Sequence, residues 1–407
     1  MAQAVEAAAK NNPAVVGAQA DLEAAREAIR SAKSRLRPSA SLNGFATAGS
    51  YGAIYPSAPR VDPAYALLAP SGGLLDANVM LMIPLLTGGL LNAQVGSVQE
   101  IAAAAQYDLR ETQAEASLKA VDAYLRALLA AETASAAQAR VEAGSELVRT
   151  TRAQFEAGKG IEASVQRSES ELAQSQRALT AALGERKKSL LMLKEAMGID
   201  LDTAVALTDP LDREISRGEL AGYLTKALSG RGSILAARAR LRASEADVRA
   251  LEGSQKPQVY GIAMADAANQ AGSRGASIGL TISIPLFDGG QRRADVSRAR
   301  SIRERERANV RQIELTVQRE VRESYIDFDT ANANVASAKS SVVAATSAYE
   351  VAALRYANGK AILVEPLDAM QALTQARRDL AQALYERQIA YVRLLRAAGL
   401  PLVEEVK

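Results

Sequence analysis

Polar and apolar residues alternate with a period of two between Ser277 and Ile284. The apolar positions of this stretch are all aliphatic: Ile278, Leu280, Ile282 and Ile284. Such alternation predicts a β-strand with one polar and one apolar face. A weaker alternation just before it predicts a partner strand, with the apolar positions Tyr260, Ile262 and Met264.

Two much longer stretches have apolar and small residues at alternating steps of three and four. One runs from Ala127 to Phe155 and the other from Phe328 to Tyr356. This period predicts long helices that pack as left-handed coiled coils, with small side chains that allow close backbone approach. Each long helix would measure on the order of 100 Å at ~1.5 Å per residue.

The chain contains an internal repeat. Two motif pairs recur at an offset of 201 residues, and one recurs at an offset of 219. The stretch between the two prolines of each copy is 18 residues longer in the first copy, so we expect a surface loop there, around 51–73. The matching pairs are Pro84–Gly89 with Pro285–Gly290, Phe155–Lys159 with Tyr356–Lys360, and Arg37-Pro38 with Lys256-Pro257.

Each copy is predicted to run helix, strand, strand, long helix, return helix. The first repeat covers 1–200, the second covers 219–407, and 201–218 is a linker in a mid-height, equatorial region, where two short helices stack end to end beside one long helix. In the first repeat we predict strands at about 39–48 and 76–85, a long helix at about 90–157 and a return helix at about 160–197. In the second we predict a helix at about 219–252, strands at about 257–266 and 275–285, a long helix at about 291–357 and a return helix at about 361–398.

The composition excludes several kinds of chemistry. Cys and His are absent, which removes disulfides, Cys-based zinc sites, cysteine nucleophiles and histidine bases. Carboxylate-only metal sites and Ser/Lys chemistry are not excluded by composition, but the sequence shows no catalytic constellation, so we expect no cofactor, no metal and no enzyme activity. The net charge of +3 implies no overall attraction to nucleic acid. The arginine-rich stretch Arg292–Arg311 lacks the interleaved aromatic residues of a nucleic-acid surface, so we expect a solvated helix face there.

Four strands of roughly ten residues are long enough to cross a bilayer when tilted. Four strands cannot close a barrel, and an open sheet edge is not tolerated in lipid. Several chains must therefore share one barrel, and three chains would supply twelve strands, within the range of outer-membrane barrels. The predicted fold class is thus mainly α with transmembrane β.

An ordered set of motifs is present in both copies and carries a resemblance to a known family. It consists of the strand ends Ile83–Gly89 and Ile284–Gly290, the two Arg/Lys-Pro strand starts, and the helix tips Phe155–Lys159 and Arg355–Lys360. Across nearly all 407 residues the chain resembles the TolC family of outer-membrane efflux proteins. The resemblance implies a homotrimer with a 12-stranded β-barrel continuous with a long α-helical barrel, placed in the bacterial outer membrane with the helices in the periplasm.

The same resemblance implies a passive exit duct of a tripartite efflux pump or a type I secretion system. Its partners would be a periplasmic adaptor (membrane fusion protein), an inner-membrane pump or ABC transporter, and outer-membrane lipid. Multidrug efflux and protein secretion both remain open as cargo, and metal export is less favoured. Met1 leads straight into an Ala-rich helical pattern, so we expect a mature core from which a leader, or a lipid-bearing Cys, has been removed.

The two helix tips are the first candidate site. Gly158 and Gly359 predict left-handed helix ends, and the aromatic residues Phe155 and Tyr356 are expected to close the heptad seam. The resemblance implies that the tips also dock the periplasmic adaptor. The residues assigned to this docking site are Phe155, Gly158, Lys159, Arg355, Gly359 and Lys360.

The second candidate site follows the second tip. Glu365 and Asp368 lie three residues apart, which puts both carboxylates on one helix face. The resemblance implies that they ring the closed periplasmic aperture and favour cations, with Tyr356, Ala163 and Ser164 also at this gate. Family members often carry polar contacts at the last two positions and a basic residue at Ala361, so we do not expect a tightly bonded gate. Acids at a helix start are also favoured by the macrodipole, which leaves a solvated helix start as the alternative.

A function from another class also accounts for part of the pattern. A soluble coiled-coil scaffold that binds partner helices would explain the heptads and the absent leader. It would not explain two strand pairs at matching places in the two copies.

Overall fold

The computed structural model describes residues 1–47, 74–268 and 274–402, so the expected loop around 51–73 lies outside the described residues. The described residues contain eight helices and four strands. In chain order they are α1 (Ala2–Asn11), α2 (Pro13–Ser34), β1 (Ser39–Thr47), β2 (Leu74–Leu86), α3 (Leu90–Glu156), α4 (Glu162–Met197), α5 (Leu220–Gly230), α6 (Gly232–Gly253), β3 (Gln258–Ala268), β4 (Arg274–Ser283), α7 (Gln291–Ala357) and α8 (Val364–Ala397).

The bounds of two elements differ from the prediction for physical reasons. The return helix α8 begins at Val364 rather than at 361, because the chain needs the intervening residues to complete the turn after the tip. Strand β2 continues to Leu86 and includes Pro84, which lies opposite Tyr260. The register shifts between Pro84 and Leu86, and such a bulge accommodates a residue that cannot donate a ladder hydrogen bond.

The helix that precedes each strand pair is broken, and the prediction of one continuous helix at 219–252 is wrong. Asn12 separates α1 from α2, and Arg231 separates α5 from α6. These two residues are equivalent at the offset of 219, and both have extended backbones (φ −61°, ψ 129° and φ −66°, ψ 130°). The Asn12-Pro13 dipeptide is the sequence signal for the first break, since proline suits the first position of a helix.

The four strands form one antiparallel sheet in the order β1-β2-β3-β4. Directly paired residues share a face of a sheet. Leu42 lies opposite Val79, and Ala263 lies between Leu81 and Ile278 in neighbouring strands. One face is therefore apolar from the Ala265–Ala276 pair to the Val259–Ile282 pair. Contrary to the interpretation from the alternation, Tyr260, Ile262 and Met264 lie on the other face, with Ser277, Gly279 and Thr281.

The chain divides into two compact units, and neither coincides with a sequence repeat. One unit contains 1–20, 106–236 and 311–407, and the other contains 21–105 and 237–310. Each unit thus takes segments from both repeats. The core of the first unit is built around fully buried side chains such as Leu125, Phe328 and Leu394. Among the described residues, no helix is both long and apolar enough to cross a membrane.

Candidate functional site

The apolar face of the sheet carries no charged residue from the Ala265–Ala276 pair to the Val259–Ile282 pair, and Arg274, opposite Ala267 at the start of β4, lies beyond this part of the face. Small residues of β3, namely Gly261, Ala263 and Ala265, form the middle of this face, between aliphatic residues of β2 and β4. The aliphatic residues are strongly exposed: Leu42 at 75%, Ile278 at 90%, Leu280 at 67% and Ile282 at 63%. A contiguous apolar surface of this kind marks contact with a membrane or with another protein.

The opposite face of the same sheet is mixed and contains hydrogen-bonding side chains. Asn43 lies opposite Asn78, and the Asn43 side-chain amide donates to the Asn78 side-chain oxygen at 3.0 Å. Asp266 follows on the neighbouring strand opposite Asn78. The sheet therefore separates an apolar face from a face that can contact water, as a channel wall in lipid requires.

The sheet is open on both sides. β1 and β4 each pair with a single strand among the described residues, so their outer edges offer unpaired backbone donors and acceptors. Such edges cannot lie in lipid without a partner.

The two helix tips have the same backbone geometry. Gly158 and Gly359 are in the left-handed region, with φ of 71° and 70°. At the first tip the Gly158 N–H donates to the Phe155 carbonyl at 2.9 Å, and the Lys159 N–H donates to the Gln154 carbonyl at 2.8 Å. The second tip repeats both bonds at the equivalent residues. This is the Schellman arrangement, which satisfies the last carbonyls of the long helices.

The two tip aromatics have different environments, which corrects one expectation. Tyr356 is buried at 6% exposure and packs with Leu147, Leu363 and Met370. Phe155 is 43% exposed and does not close the heptad seam. At this heptad position the second copy therefore has a packed side chain, Tyr356, and the first copy has an accessible one, Phe155.

Tyr356 joins the long helices α3 and α7 by two hydrogen bonds. Its hydroxyl donates to the Thr151 hydroxyl at 3.0 Å, and its carbonyl accepts from the Gln154 side-chain amide at 2.7 Å. Thr151 in turn donates to the Leu147 carbonyl at 2.8 Å. Sequence reasoning had assigned Tyr356 to the gate, but had not identified Thr151 and Gln154 as its partners.

A groove of about 810 Å³ lies between the two tips. Its lining includes Gln154, Ile161, Tyr356, Asn358 and Ile362. Ile161 and Ile362 are equivalent at the offset of 201, and both are 67% exposed. Sequence reasoning missed this pair. The signal was available, because each isoleucine lies three residues after the tip glycine.

Glu365 and Asp368 are both exposed and lie in the first turns of α8. Glu365 approaches the Arg355 guanidinium at 3.8 Å, a long ion pair between half-exposed side chains. Pro366, between them, is buried in the first helical turn, where proline is tolerated. The two carboxylates therefore point away from the packed side of the helix.

The first-copy positions that correspond to Glu365 and Asp368 are not acidic. Ala163 is exposed and Ser164 is partly exposed at the start of α4. Ser164 is equivalent to Glu365 and Arg167 is equivalent to Asp368 at the offset of 201. The equivalent helix faces of the two copies thus differ in charge, and sequence reasoning did not identify Arg167.

The linker between the repeats is tied by ion pairs to the long helix α7 and to the return helix α8. The Asp212 carboxylate accepts from Lys339 at 2.7 Å and from Arg387 at 3.0 Å, and Arg387 also donates to the Arg213 carbonyl at 2.8 Å. The hydrogen bond from Lys339, with help from Arg387, lowers the pKa of Asp212 below its ordinary value although partial burial opposes this.

A buried arginine occupies the second helix break. The Arg231 side chain is 6% exposed, pairs with Glu320 at 2.6 Å and donates to the Ala397 carbonyl at 3.2 Å. Its equivalent Asn12 donates to the Ala196 carbonyl at 3.3 Å. Both breaks thus anchor the end of a return helix through the same kind of bond, although no sequence motif indicated it.

Comparisons with known proteins agree with this geometry. The profile of the outer membrane efflux protein family matches residues 4–199 and 223–400. The outer membrane efflux protein BepC of Brucella suis biovar 1 (strain 1330) is 24% identical over 396 residues, which are 96% of this chain and 83% of that protein.

Two solved structures show the same fold. The outer-membrane channel OprN is 24% identical with a TM-score of 0.82, covering 98% of this chain and 90% of that one. The outer membrane protein VceC of Vibrio cholerae is 20% identical with a TM-score of 0.81, covering 98% and 96%. The chain therefore belongs to the outer membrane efflux protein family and is an exit duct of the bacterial outer membrane.

Proposed function

We propose that the chain is one protomer of a homotrimer in which three four-stranded sheets close a 12-stranded barrel, continuous with a long helical barrel. The open antiparallel sheet, with one face that is apolar over most of its paired region, carries this proposal. Pairing the free edge of β4 with the free edge of β1 in the next copy removes every exposed edge, as lipid demands. Three copies give twelve strands, an ordinary size for an outer-membrane barrel.

The tips are proposed to dock the periplasmic adaptor of a tripartite pump. The groove between them offers two equally exposed isoleucines beside polar groups of Gln154 and Asn358. Exposed apolar side chains in a concave polar surface are suited to a helical partner. Lys159, Arg355 and Lys360 add positive charge at the ends of the long helices. An inner-membrane pump or ABC transporter would deliver the cargo.

The carboxylates of Glu365 and Asp368 are proposed to line the periplasmic aperture. Three copies would bring six carboxylates around one axis, and such a ring attracts cations. The single long ion pair of Glu365 with Arg355 leaves the negative charge of Asp368 without a basic neighbour within 4.0 Å among the described residues. The soluble-scaffold alternative does not explain the exposed apolar face of the sheet.

Assembly tests the proposal directly. The full chain, extracted from membranes in detergent, is expected to migrate as a trimer and to form cation-selective channels in planar bilayers. Full solubility without detergent, together with a monomeric mass, would instead establish the scaffold alternative.

A further inference from the structure

The two strand-to-helix junctions of the chain are equivalent in sequence and backbone. Gly88 and Gly89 have φ of 60° and 86°, and Gly289 and Gly290 have φ of 65° and 90°. The contacts made by the first junction therefore predict which contacts would fit the second.

The first junction is packed against the turn that joins α6 to β3. A Cβ placed on Gly88 would lie 2.5 Å from the Gly253 carbonyl oxygen and 2.8 Å from the Lys256 Cβ. A Cβ on Gly253 would lie 2.8 Å from the Leu90 backbone nitrogen. The glycines are thus required by the close approach of these two backbones.

The second junction lacks this close backbone approach. A Cβ on Gly289, the equivalent of Gly88, would meet no described atom within 4 Å, and the α6-to-β3 turn reaches this junction through the Gln255 side-chain amide, which donates to the Arg292 carbonyl at 3.4 Å. Leu286 and Phe287 are 91% and 92% exposed, whereas their first-copy equivalents Leu85 and Leu86 are 58% and 55% exposed. About a third of the surface of these side chains is covered in one copy and uncovered in the other.

Among the described residues, one further turn joins a helix to a strand in the same way. The α2-to-β1 turn is equivalent to the α6-to-β3 turn at the offset of 219, with Ser34 at the place of Gly253 and Arg37 at the place of Lys256. Within one chain this turn cannot reach the second junction, because β1 and β4 are at opposite edges of the sheet. Three strand spacings of roughly 4.8 Å separate them.

We infer that the second junction, Pro285–Gln291, is completed by the α2-to-β1 turn of a neighbouring copy of this chain, residues 34–37. The inference rests on the proposed trimer and adds which residues meet in it. The same placement that pairs β1 of one copy with β4 of another brings this turn over Gly289, as the α6-to-β3 turn lies over Gly88.

Two residues of the contact differ between the copies. Ser34 has a Cβ where Gly253 has none, and a Cβ on Gly253 would lie only 2.8 Å from the Leu90 backbone nitrogen, so the neighbour's turn lies further from its junction than the α6-to-β3 turn lies from the first. Asp288 replaces Thr87, and its carboxylate accepts from the backbone N–H groups of Gly290 and Arg292 and pairs with the Arg292 guanidinium at 3.2 Å. This carboxylate is therefore already engaged within its own chain.

The chain has no cysteine, so paired cysteines can test the contact without background disulfides. Ser34→Cys and Gln291→Cys replace the equivalents of Gly253 and Leu90. A Cβ on Gly253 would lie 2.8 Å from the Leu90 backbone nitrogen. With the Cα–Cβ bond of Gly253 and the N–Cα bond of Leu90 added, the two Cα atoms are at most about 5.8 Å apart. A disulfide spans about 4.4–6.8 Å between Cα atoms, so the equivalent pair between copies is within reach.

The double variant, oxidised in intact outer membranes and run without reductant, is expected to give a covalent trimer that reductant dissolves. Co-expressed single variants, one chain with S34C and another with Q291C, are expected to give a covalent dimer. A matched control, Ser34→Cys with Leu90→Cys, places the second cysteine at the equivalent site of the first copy and is expected to stay uncross-linked.

The outcomes separate this inference from the proposed duct. A native trimer in detergent that yields no cross-link with S34C and Q291C overturns the contact and leaves the duct standing. A cross-link confined to one chain, with no dimer from the co-expressed single variants, also overturns it. The absence of any native trimer of the unaltered chain overturns both.

Discussion

The Tyr356 hydroxyl donates a 3.0 Å hydrogen bond to the Thr151 hydroxyl, and both side chains are almost fully buried. The bond joins α7 to α3 one turn before the tips. It lies beside the small apolar cluster that also holds the start of α8, which carries the two acidic residues of the proposed aperture. The packing of Tyr356 therefore positions the aperture helix relative to the tip groove.

Tyr356→Phe removes this bond and leaves the Thr151 oxygen without its buried donor. We expect a loss of about 1 kcal/mol in stability, because a typical internal hydrogen bond contributes about that much. The channel is expected to open more readily, measured as higher conductance in planar bilayers. Tyr349→Phe is the matched control, since Tyr349 lies on the same seam and its hydroxyl bonds no described residue. Equal conductance of both variants would contradict the positioning role.

Glu365→Ala with Asp368→Ala removes six carboxylates from the proposed ring of three chains. Conductance is expected to rise and cation selectivity to fall, because the field that attracts cations is weakened. Reversal potentials in a salt gradient measure the selectivity. Glu185→Ala, at an exposed position further along α4, serves as control. Unchanged selectivity in the double variant would remove these two acids from the aperture.

Ile161→Asp or Ile362→Asp places a charge in the groove between the tips. Burial of an aliphatic side chain contributes about 1.5–3 kcal/mol, so adaptor docking should weaken by roughly tenfold or more. Cellular efflux should fall while the trimer still assembles in the outer membrane. Ile161→Leu and Ile362→Leu keep the apolar contact and should retain efflux. Full efflux with the Asp variants would place docking elsewhere.

Leu280→Lys tests which face of the sheet meets lipid. A lysine on the lipid face near the bilayer midplane costs about 2–4 kcal/mol, so the yield of assembled trimer should drop. Thr281→Lys is the matched control, because the next residue of the strand lies on the other face. Trimer yield in outer-membrane fractions measures the effect. A larger loss for Thr281→Lys than for Leu280→Lys would reverse the assignment of the faces.

Acid is expected to loosen the linker through Asp212. The pKa of this carboxyl is lowered in the folded chain, chiefly by the hydrogen bond from Lys339 and further by Arg387. The ionised carboxylate therefore contributes its full stabilisation above the ordinary carboxyl pKa of about 4. This stabilisation is lost as the pH falls below that value and then passes the lowered pKa of the folded chain.

Asp212→Asn removes this titration. The difference in melting temperature between wild type and variant should be constant from neutral pH to about pH 5 and shrink below about pH 4. Thermal unfolding of the purified trimer across this range measures it. A difference that grows on acidification would show that the pKa is raised rather than lowered.

The sequence predicted the elements of this fold well wherever a period repeats over many residues. The heptads at Ala127–Phe155 and Phe328–Tyr356 lie inside the two long helices, and the alternation from Ser277 lies on β4. A repeated period averages over local exceptions, so element type is secure there. A break at a single residue leaves the surrounding helical period unchanged, so the break at Arg231 was missed.

The candidate site was predicted only in part for a related reason. Motif position gave the tip glycines and the acid pair Glu365 and Asp368. It could not give the partner of Tyr356, because Thr151 lies 205 residues away and the pairing depends on how two helices lean together. Nor could it show that Phe155 is exposed while its equivalent Tyr356 is buried.

The sequence by itself determined the duplicated order of elements, the long coiled-coil helices and membership of a channel family, because these follow from periods and motifs carried along the chain. Only the tertiary structure decided which face of the sheet is apolar, which tip aromatic is buried and which strand-to-helix junction is left uncovered. Those features depend on strand register and on contacts between distant segments. Burial of a side chain is a property of its neighbours in space, and chain order does not specify them.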